Sequence, residues 1–161
     1  MRTSAVIIVG SLLASAASIG MPSPAVGKDA RLNDDLIMAA RDSNLDLVRT
    51  FLKRGADVNA CGSWEGCDTA LLRAVATSAA INLAVVKELV GHGADVNKPD
   101  NLPLYFAAYF GHTEAVIYLI SRNANLPRNS RAITALKSRL ASQHFEEIYQ
   151  VLFSYDYPND H

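Results

Sequence analysis

The sequence predicts an all-α fold: a repeat solenoid of about four helix-turn-helix units joined by β-hairpin fingers. The first observation is self-similarity, because paired small residues recur at Ala39, Ala74 and Ala107, which are 35 and 33 positions apart. The second is that each pair precedes a helical pattern rich in Val and Leu. The third is the string Gly-Ala-Asp-Val-Asn, which follows two of these patterns. Such a period is typical of stacked repeats that bury their apolar sides against one another.

Each unit is predicted to hold two amphipathic helices. In the first unit, Leu36, Ala39 and Ala40 recur at helical spacing, and the small alanines allow a neighbouring helix to approach closely. The apolar stripe of the second helix consists of Leu47, Val48, Phe51 and Leu52. Local signals mark where helices end and begin: Gly55 and Gly93 for left-handed C-terminal caps, Thr69 for a helix start, and Pro103 for a first turn.

These segments resemble the ankyrin repeat, whose period is about 33 residues. The resemblance covers about 120 of the 161 residues. It implies a repeat domain over 30–154, with repeats at about 31–60, 61–97, 98–126 and 127–154, and a loose tail at 155–161. The first helix pair is expected to begin near Asp34 and to lack its own hairpin.

The spacing departs from the family pattern in three places. The finger from Asn59 to Thr69 is about two residues longer than usual, and the turn "ATSAAIN" is about three residues longer. The finger "NKPDNL" is about three residues shorter. Long and short fingers therefore alternate along one edge.

A fourth unit is predicted in the C-terminal stretch. Placing Thr134-Ala135-Leu136 on the opening of the repeat aligns Gln143-His144 with Gly111-His112. In this register Arg139 and Leu140 replace the alanine pair. Polar residues along the segment are typical of a terminal repeat with an exposed outer side.

Residues 1–27 are interpreted as a signal peptide and flexible leader. Arg2 precedes a short apolar run, and small residues suited to cleavage follow it. The run is shorter than the ~20 apolar residues that a membrane-spanning helix needs. The cleavage site is left open, and the two alternatives are an N-terminal core helix and a retained membrane anchor.

Cys61 and Cys67 are the only cysteines and enclose the only tryptophan, Trp64. In an oxidising compartment such a pair is expected to form a disulfide, and Gly62 and Gly66 favour the turn that it requires. Zinc is the weaker alternative, because "CGSWEGC" offers two thiols without a histidine pair at ligand spacing.

Composition and motifs argue against several function classes. A net charge of −1 gives little of the counterion-release affinity on which non-specific nucleic-acid binding depends. The sequence has no nucleophile elbow, HExxH, GxGxxG or Walker loop, so we expect no catalytic residue, metal or cofactor. His112 and His144 occupy a position at which the resemblance implies a structural hydrogen bond.

The resemblance also implies a binding surface, formed by finger tips and the exposed side of the first helices. In the long finger the implied contacts are Trp64, Glu65 and Asp68. On the first helices they are Arg41-Asp42, Ala76-Thr77, Tyr109-Phe110 and Ala141-Ser142. The alternatives are that Tyr109 and Phe110 pack under the adjoining finger and that Trp64 packs on the disulfide.

The sequence thus favours an exported protein that is periplasmic or secreted and binds a protein partner. The sharper hypothesis is a periplasmic inhibitor or immunity-type protective protein, motivated by small size and export. The alternative is an accessory or chaperone-like scaffold that supports a periplasmic enzyme, and a third hypothesis is an enzyme. We expect a monomer when free, with no nucleic-acid partner and no membrane contact after signal removal.

Overall fold

The computed structural model describes residues 24–62, 66–143 and 145–153. This part of the chain contains eight α-helices and no strand. In chain order they are α1 (Pro24–Arg41), α2 (Leu45–Lys53), α3 (Ala70–Val75), α4 (Leu83–Gly91), α5 (Leu102–Tyr109), α6 (Thr113–Ser121), α7 (Ser130–Ser142) and α8 (Glu146–Phe153). None of the described helices is both long enough and apolar enough to cross a membrane.

The helices form two layers. The inner helices α1, α3, α5 and α7 pack on one another in chain order, and the outer helices α2, α4, α6 and α8 do the same. The core lies between the layers and is continuous from Leu36 to Leu152. Small buried pairs, Ala39-Ala40 and Ala107-Ala108, let successive inner helices stack closely. The predicted all-α repeat solenoid is confirmed.

The described parts of the fingers are turns, not the β-hairpins that the sequence predicts. Asparagine side-chain amides bond to backbone N–H and C=O groups that would otherwise pair in a β-ladder. Oδ1 of Asn59 accepts from Asp95 N at 2.8 Å while its Nδ2 donates to Gly93 O at 2.8 Å. Asn97 repeats the first bond, accepting from Asn125 N at 2.8 Å. Side chains therefore link successive fingers and satisfy their backbone.

The first inner helix begins earlier than its predicted start near Asp34. It starts at Pro24, and its Asn33 Oδ1 accepts from Asp57 N at 2.8 Å. Asn33, on α1, thus accepts from the first finger the same kind of hydrogen bond that Asn59 accepts from the next finger. The remainder of the interpreted leader, residues 1–23, lies outside the described residues, as does the interpreted tail at 155–161.

The predicted helix boundaries agree with the local geometry. Gly55 and Gly93 both have φ of 88°, which suits glycine at a left-handed cap. Thr69 caps α3 by accepting from Leu72 N at 3.2 Å, and Pro103 lies in the first turn of α5. The turn predicted to be long spans residues 76–82, whereas the equivalent turns span only 42–44, 110–112 and 143–145.

The register of the fourth unit differs by one residue from the sequence alignment. The residue before α2, α6 and α8 donates to an inner-helix carbonyl five positions back: Asn44 N to Ala39 O (3.0 Å), His112 N to Ala107 O (2.9 Å) and Phe145 N to Leu140 O (3.1 Å). Phe145, not His144, therefore corresponds to His112, and Leu140 corresponds to Ala107. The sequence alignment is one residue off because the apolar residues of α8 fit either register.

Candidate protein-binding surface

The exposed side of the inner layer, here called the inner surface, carries equivalent positions in rows. Because the inner helices stack in one layer, the residues next to their buried pairs lie side by side. The row just before the pair consists of Met38, Arg73, Phe106 and Arg139, all half-buried. The row just after it contains Arg41, Ala76, Tyr109 and Ser142. Aromatic residues are concentrated in the third unit.

Four aromatic side chains on and beside α5 form a continuous group, the aromatic cluster: Tyr105, Phe106, Tyr109 and Phe110. Tyr105 stacks on Tyr109 with ring centroids 6.0 Å apart, and Phe106 stacks on Phe110 at 6.1 Å. Tyr109 and Phe110 meet edge to face at 5.2 Å. These are favourable geometries for aromatic pairs, so the rings hold one another in place.

The two predicted aromatic contacts differ in their surroundings. Tyr109 packs against the core, and the Arg139 guanidinium lies 4.2 Å from its ring centroid. Arg139 Nε also donates to the Tyr109 carbonyl at 2.8 Å. Phe106 and Phe110 are half-buried but outside the set that packs on the core. The packing alternative therefore describes Tyr109 better than Phe110.

The aromatic cluster is uncharged near neutral pH. Burial raises the pKa of the Tyr105 phenol above its ordinary value, and neighbouring Tyr109 adds to the effect. The positions equivalent to Phe106 are Arg73 in the preceding unit and Arg139 in the following one. Arg73 already pairs with Asp68, whereas Arg139 lies over an aromatic ring. The inner surface thus offers an apolar centre with cationic flanks.

The other predicted contact residues lie on the same surface but have local partners. Arg41 and Asp42 are exposed and paired with each other, Nε to Oδ1 at 2.9 Å. Asp68 is largely covered and bonded to Arg73. The Thr77 carbonyl lies 2.8 Å from His112 Nε2, a bond that confirms the structural role expected for His112. A partner would therefore have to compete with existing bonds at these positions.

The cysteine finger is described on both sides of its tip. Cys61 and Cys67 lie at bonding distance, with sulfur atoms 1.98 Å and Cα atoms 4.6 Å apart, as the sequence predicts. Gly62 N donates to Asp68 O at 2.9 Å and closes the base of the finger. The predicted contacts Trp64 and Glu65 lie outside the described residues.

Tyr105 and Phe106 were missed by the sequence reasoning. A signal was available, because in "YFAAYF" both residues lie four positions before a predicted contact and hence on the same helix side.

Other kinds of site have little support. In the described ranges, no group of three or more His, Cys, Asp or Glu residues could hold a metal ion. A shallow groove between α2 and α4 is lined by Arg49, Lys87, Glu88 and His92. Three of these residues already have partners: Arg49 Nε lies 3.1 Å from Glu88 Oε2, and His92 Nδ1 lies 2.9 Å from the Glu88 carbonyl.

Comparison with known proteins agrees with the fold. The family described as "Ankyrin repeats (3 copies)" matches over residues 36–130 and 72–160. A search of curated proteins finds no match to the chain. The family match spans most of the sequence, and such repeats are typically interaction scaffolds without enzymatic activity. This chain belongs to the ankyrin repeat family, and its repeats indicate a protein–protein interaction module.

Proposed function

We propose that this chain is an exported ankyrin repeat protein that binds a periplasmic enzyme through its inner surface and inhibits it, as an immunity-type protective protein does. The observation that carries the binding proposal is the aromatic cluster on α5. The cluster presents half-exposed rings where the preceding and following inner helices have Arg73 and Arg139.

Aromatic rings suit this role for energetic reasons. Tyr and Phe side chains have two χ angles, so fixing them in a complex costs little entropy. In the cluster the rings are already stacked, which lowers that cost further. We expect Phe106 and Phe110 to enter apolar recesses of the partner, with Tyr109 held beneath them by Arg139.

Two features support the export part of the proposal. The sequence begins with a short apolar run preceded by Arg2, which is typical of a cleaved signal. Cys61 and Cys67 lie at bonding distance, and disulfides persist in oxidising compartments. Free-thiol labelling of the denatured, periplasm-derived protein is expected to find none, and labelling of both residues would contradict the export proposal.

Site-specific photo-crosslinking tests the surface. A photoreactive phenylalanine analogue at Phe110 should capture a discrete partner in periplasm. The same analogue at Ile117, an exposed residue 47% accessible on outer helix α6, is the matched control. Capture of the same protein from both positions, or from Ile117 alone, would show that the inner surface is not the binding site.

The effect of the chain on the captured partner's activity then distinguishes an inhibitor from an accessory scaffold. If it is an enzyme, titration with the purified chain should lower its activity to a floor at a fixed molar ratio. Phe110→Ala should weaken the binding by about 10- to 100-fold, as expected for truncating an interface anchor. An unchanged or raised activity at saturating chain would favour the accessory scaffold over the inhibitor.

Trp64 remains a predicted second contact, presented by the disulfide-closed finger. Trp64→Ala is expected to weaken partner binding while leaving the urea midpoint nearly unchanged, because a finger tip adds little to packing between repeats. A large fall in the urea midpoint with unchanged affinity would make Trp64 a packing residue instead.

A further inference from the structure

Positive charge accumulates around α7 without matching negative charge. Residues 115–145, from the first turn of α6 to the residue before α8, contain no Asp or Glu. The same stretch holds five of the fifteen Lys and Arg residues of the chain: Arg122, Arg128, Arg131, Lys137 and Arg139. Because the whole chain has a net charge of −1, the acidic residues that balance these cations lie elsewhere in the sequence.

The cations of the preceding inner helices are neutralised locally. Arg41, at the end of α1, lies 2.9 Å from Asp42 (Nε to Oδ1), and Arg73 on α3 is paired with Asp68. Among the described residues, no carboxylate forms an ion pair with a cation of α7, and this includes exposed Asp100 in the finger before α5. The α7 side of the inner surface therefore keeps a positive charge that the α1 and α3 side has compensated.

Two of the α7 cations lie on the inner surface. Arg139 occupies the same row as Phe106 and contacts Tyr109. Arg131 is eleven residues before Ser142, a spacing close to three full turns, so these two residues share one side of the helix. Arg131 is exposed and Arg139 is half-buried, and they are about 12 Å apart along the helix axis. Both arginines thus lie on the α7 side of the aromatic cluster.

The setting of Arg139 suits a carboxylate. Its Nε donates to the Tyr109 carbonyl at 2.8 Å, and its guanidinium lies 4.2 Å from the Tyr109 ring centroid, so the planar group is already held in place. The Nη atoms carry further N–H donors, which can bind both oxygens of a carboxylate side by side. Because the group is half-buried and fixed, binding loses little conformational entropy and the attraction is less screened than at an exposed site.

From these observations we infer that the inner surface recognises an acidic as well as apolar polypeptide segment. Aromatic or aliphatic side chains of that segment pack on the aromatic cluster, while its carboxylates bind Arg139 and Arg131. The inference rests on the inner surface being the binding site, as proposed above, and adds the chemistry and orientation of the partner. The acidic side of the segment points toward α7, because the cations of α1 and α3 already have carboxylate partners. Such complementarity also disfavours partners that present cations at this position.

Selection from a displayed library of random peptides on the immobilised full chain tests this chemistry. The enriched peptides should combine Asp or Glu with aromatic or large aliphatic residues. Selection on the variant Arg131→Gln with Arg139→Gln should lose the acidic preference. Lys53→Gln with Arg54→Gln is the matched control, because it removes the same charge from exposed residues at the end of outer helix α2. No enrichment, enrichment without acidic residues, or equal loss in both variants would overturn the inference.

A double-mutant cycle with one selected peptide identifies the contact at Arg139. Replacing the peptide carboxylate by its amide should weaken binding to wild type by about 10-fold, and Arg139→Gln should do the same. The amide peptide should lose nothing further on Arg139→Gln, whereas Arg139→Lys should recover part of the affinity. Arg131→Gln should weaken binding only about 2- to 3-fold, because Arg131 is exposed. An amide substitution that weakens binding equally to wild type and to Arg139→Gln would overturn the inference.

Two further outcomes separate this inference from its alternatives. A single-stranded oligonucleotide that binds more tightly than the selected peptides, with the same dependence on Arg131 and Arg139, would assign the surface to nucleic acid and overturn the inference. A periplasmic protein captured at Phe110 through a segment without carboxylates would also overturn it, yet leave the proposed function intact. Acidic peptides that bind as expected, without any capture from periplasm, would support the inference and contradict the proposed function.

Discussion

The last turn between helices, from α7 to α8, differs from the interior turns, of which one lies in the N-terminal half (α1–α4) and one in the C-terminal half (α5–α8). In the interior, each turn is linked to the preceding one by a polar bond. Asn82 Nδ2 lies 3.5 Å from the Ser43 carbonyl, and His112 Nε2 lies 2.8 Å from the Thr77 carbonyl. At the last turn the Phe145 ring packs directly on Gly111. The equivalent position has thus changed from polar to aromatic.

The difference shows how a terminal unit is held. A polar link positions a turn, but an aromatic ring also buries apolar area, which is the larger stabilising contribution. Among the described helices, α7 and α8 pack on the third unit only, so they gain fewer packing contacts than an interior unit. Arg139 adds to the same interface by bonding to Tyr109. Contacts with aromatic rings accordingly join the fourth unit to the third.

The largest effect on stability is expected when the contact between Phe145 and Gly111 is disrupted. Gly111 has φ of 82°, and a Cβ there would overlap the Phe145 ring. Gly111→Ala should lower the free energy of unfolding by about 3 kcal/mol, combining left-handed strain with displacement of the ring. Gly93→Ala is the control, because φ is 88° but nothing lies within 4 Å of the added Cβ. We expect it to cost about 1 kcal/mol. Urea midpoints measure both.

A double variant tests whether the Phe145 ring causes the cost of Gly111→Ala. In a Phe145→Ala background, the overlap is gone, so Gly111→Ala should cost no more than Gly93→Ala does in wild type. If Gly111→Ala costs the same with and without Phe145, the ring does not determine the penalty, and the comparison of the last turn with the interior turns loses its basis.

Much of the fold could be predicted because the relevant signals are local. Gly55 and Gly93 suit a left-handed backbone at one position each, Pro103 suits a first helical turn, and each of these preferences is visible in sequence. The register of the last unit was not predictable in the same way. It depends on Phe145 meeting Leu140 across a turn, and the apolar spacing of α8 fits two registers.

The second largest effect concerns the covalent link of the N-terminal half. Cys61→Ser with Cys67→Ser should lower the free energy of unfolding by about 2 kcal/mol, because opening a small ring restores a limited amount of chain entropy to the unfolded state. Thiol reduction of wild type should reproduce the shift in urea midpoint. A negligible shift in both experiments would mean that the finger is closed by the Gly62–Asp68 bond alone.

The candidate surface was less predictable than the fold. The family pattern identifies which positions of an inner helix are exposed, and it therefore located Tyr109 and Phe110. It does not reveal how neighbouring side chains share that surface. Arg139 covers Tyr109 from the next unit, and this contact depends on the packing of α5 against α7. The same contact shows that Phe110 is the freer of the two rings.

A smaller effect is expected for the interior polar link. His112→Ala should lower the free energy of unfolding by about 1 to 2 kcal/mol, because it leaves the Thr77 carbonyl without its donor. His92→Ala serves as the control, since exposed His92 bonds only within its own helix end, to the Glu88 carbonyl. Equal effects of the two substitutions on the urea midpoint would show that the bond between turns adds nothing to stability.

The smallest expected effect is on the ion pair that joins the outer helices of the N-terminal half. Arg49 Nε lies 3.1 Å from Glu88 Oε2, but the Arg49 side chain is 48% exposed. Water and salt therefore screen the attraction, and Glu88→Gln should cost no more than about 0.5 kcal/mol at low salt. The difference from wild type should shrink further in 1 M NaCl. A cost that persists in high salt would indicate that the Glu88 carboxylate acts through its hydrogen bond to Arg49 and not through the screened attraction between the two charges.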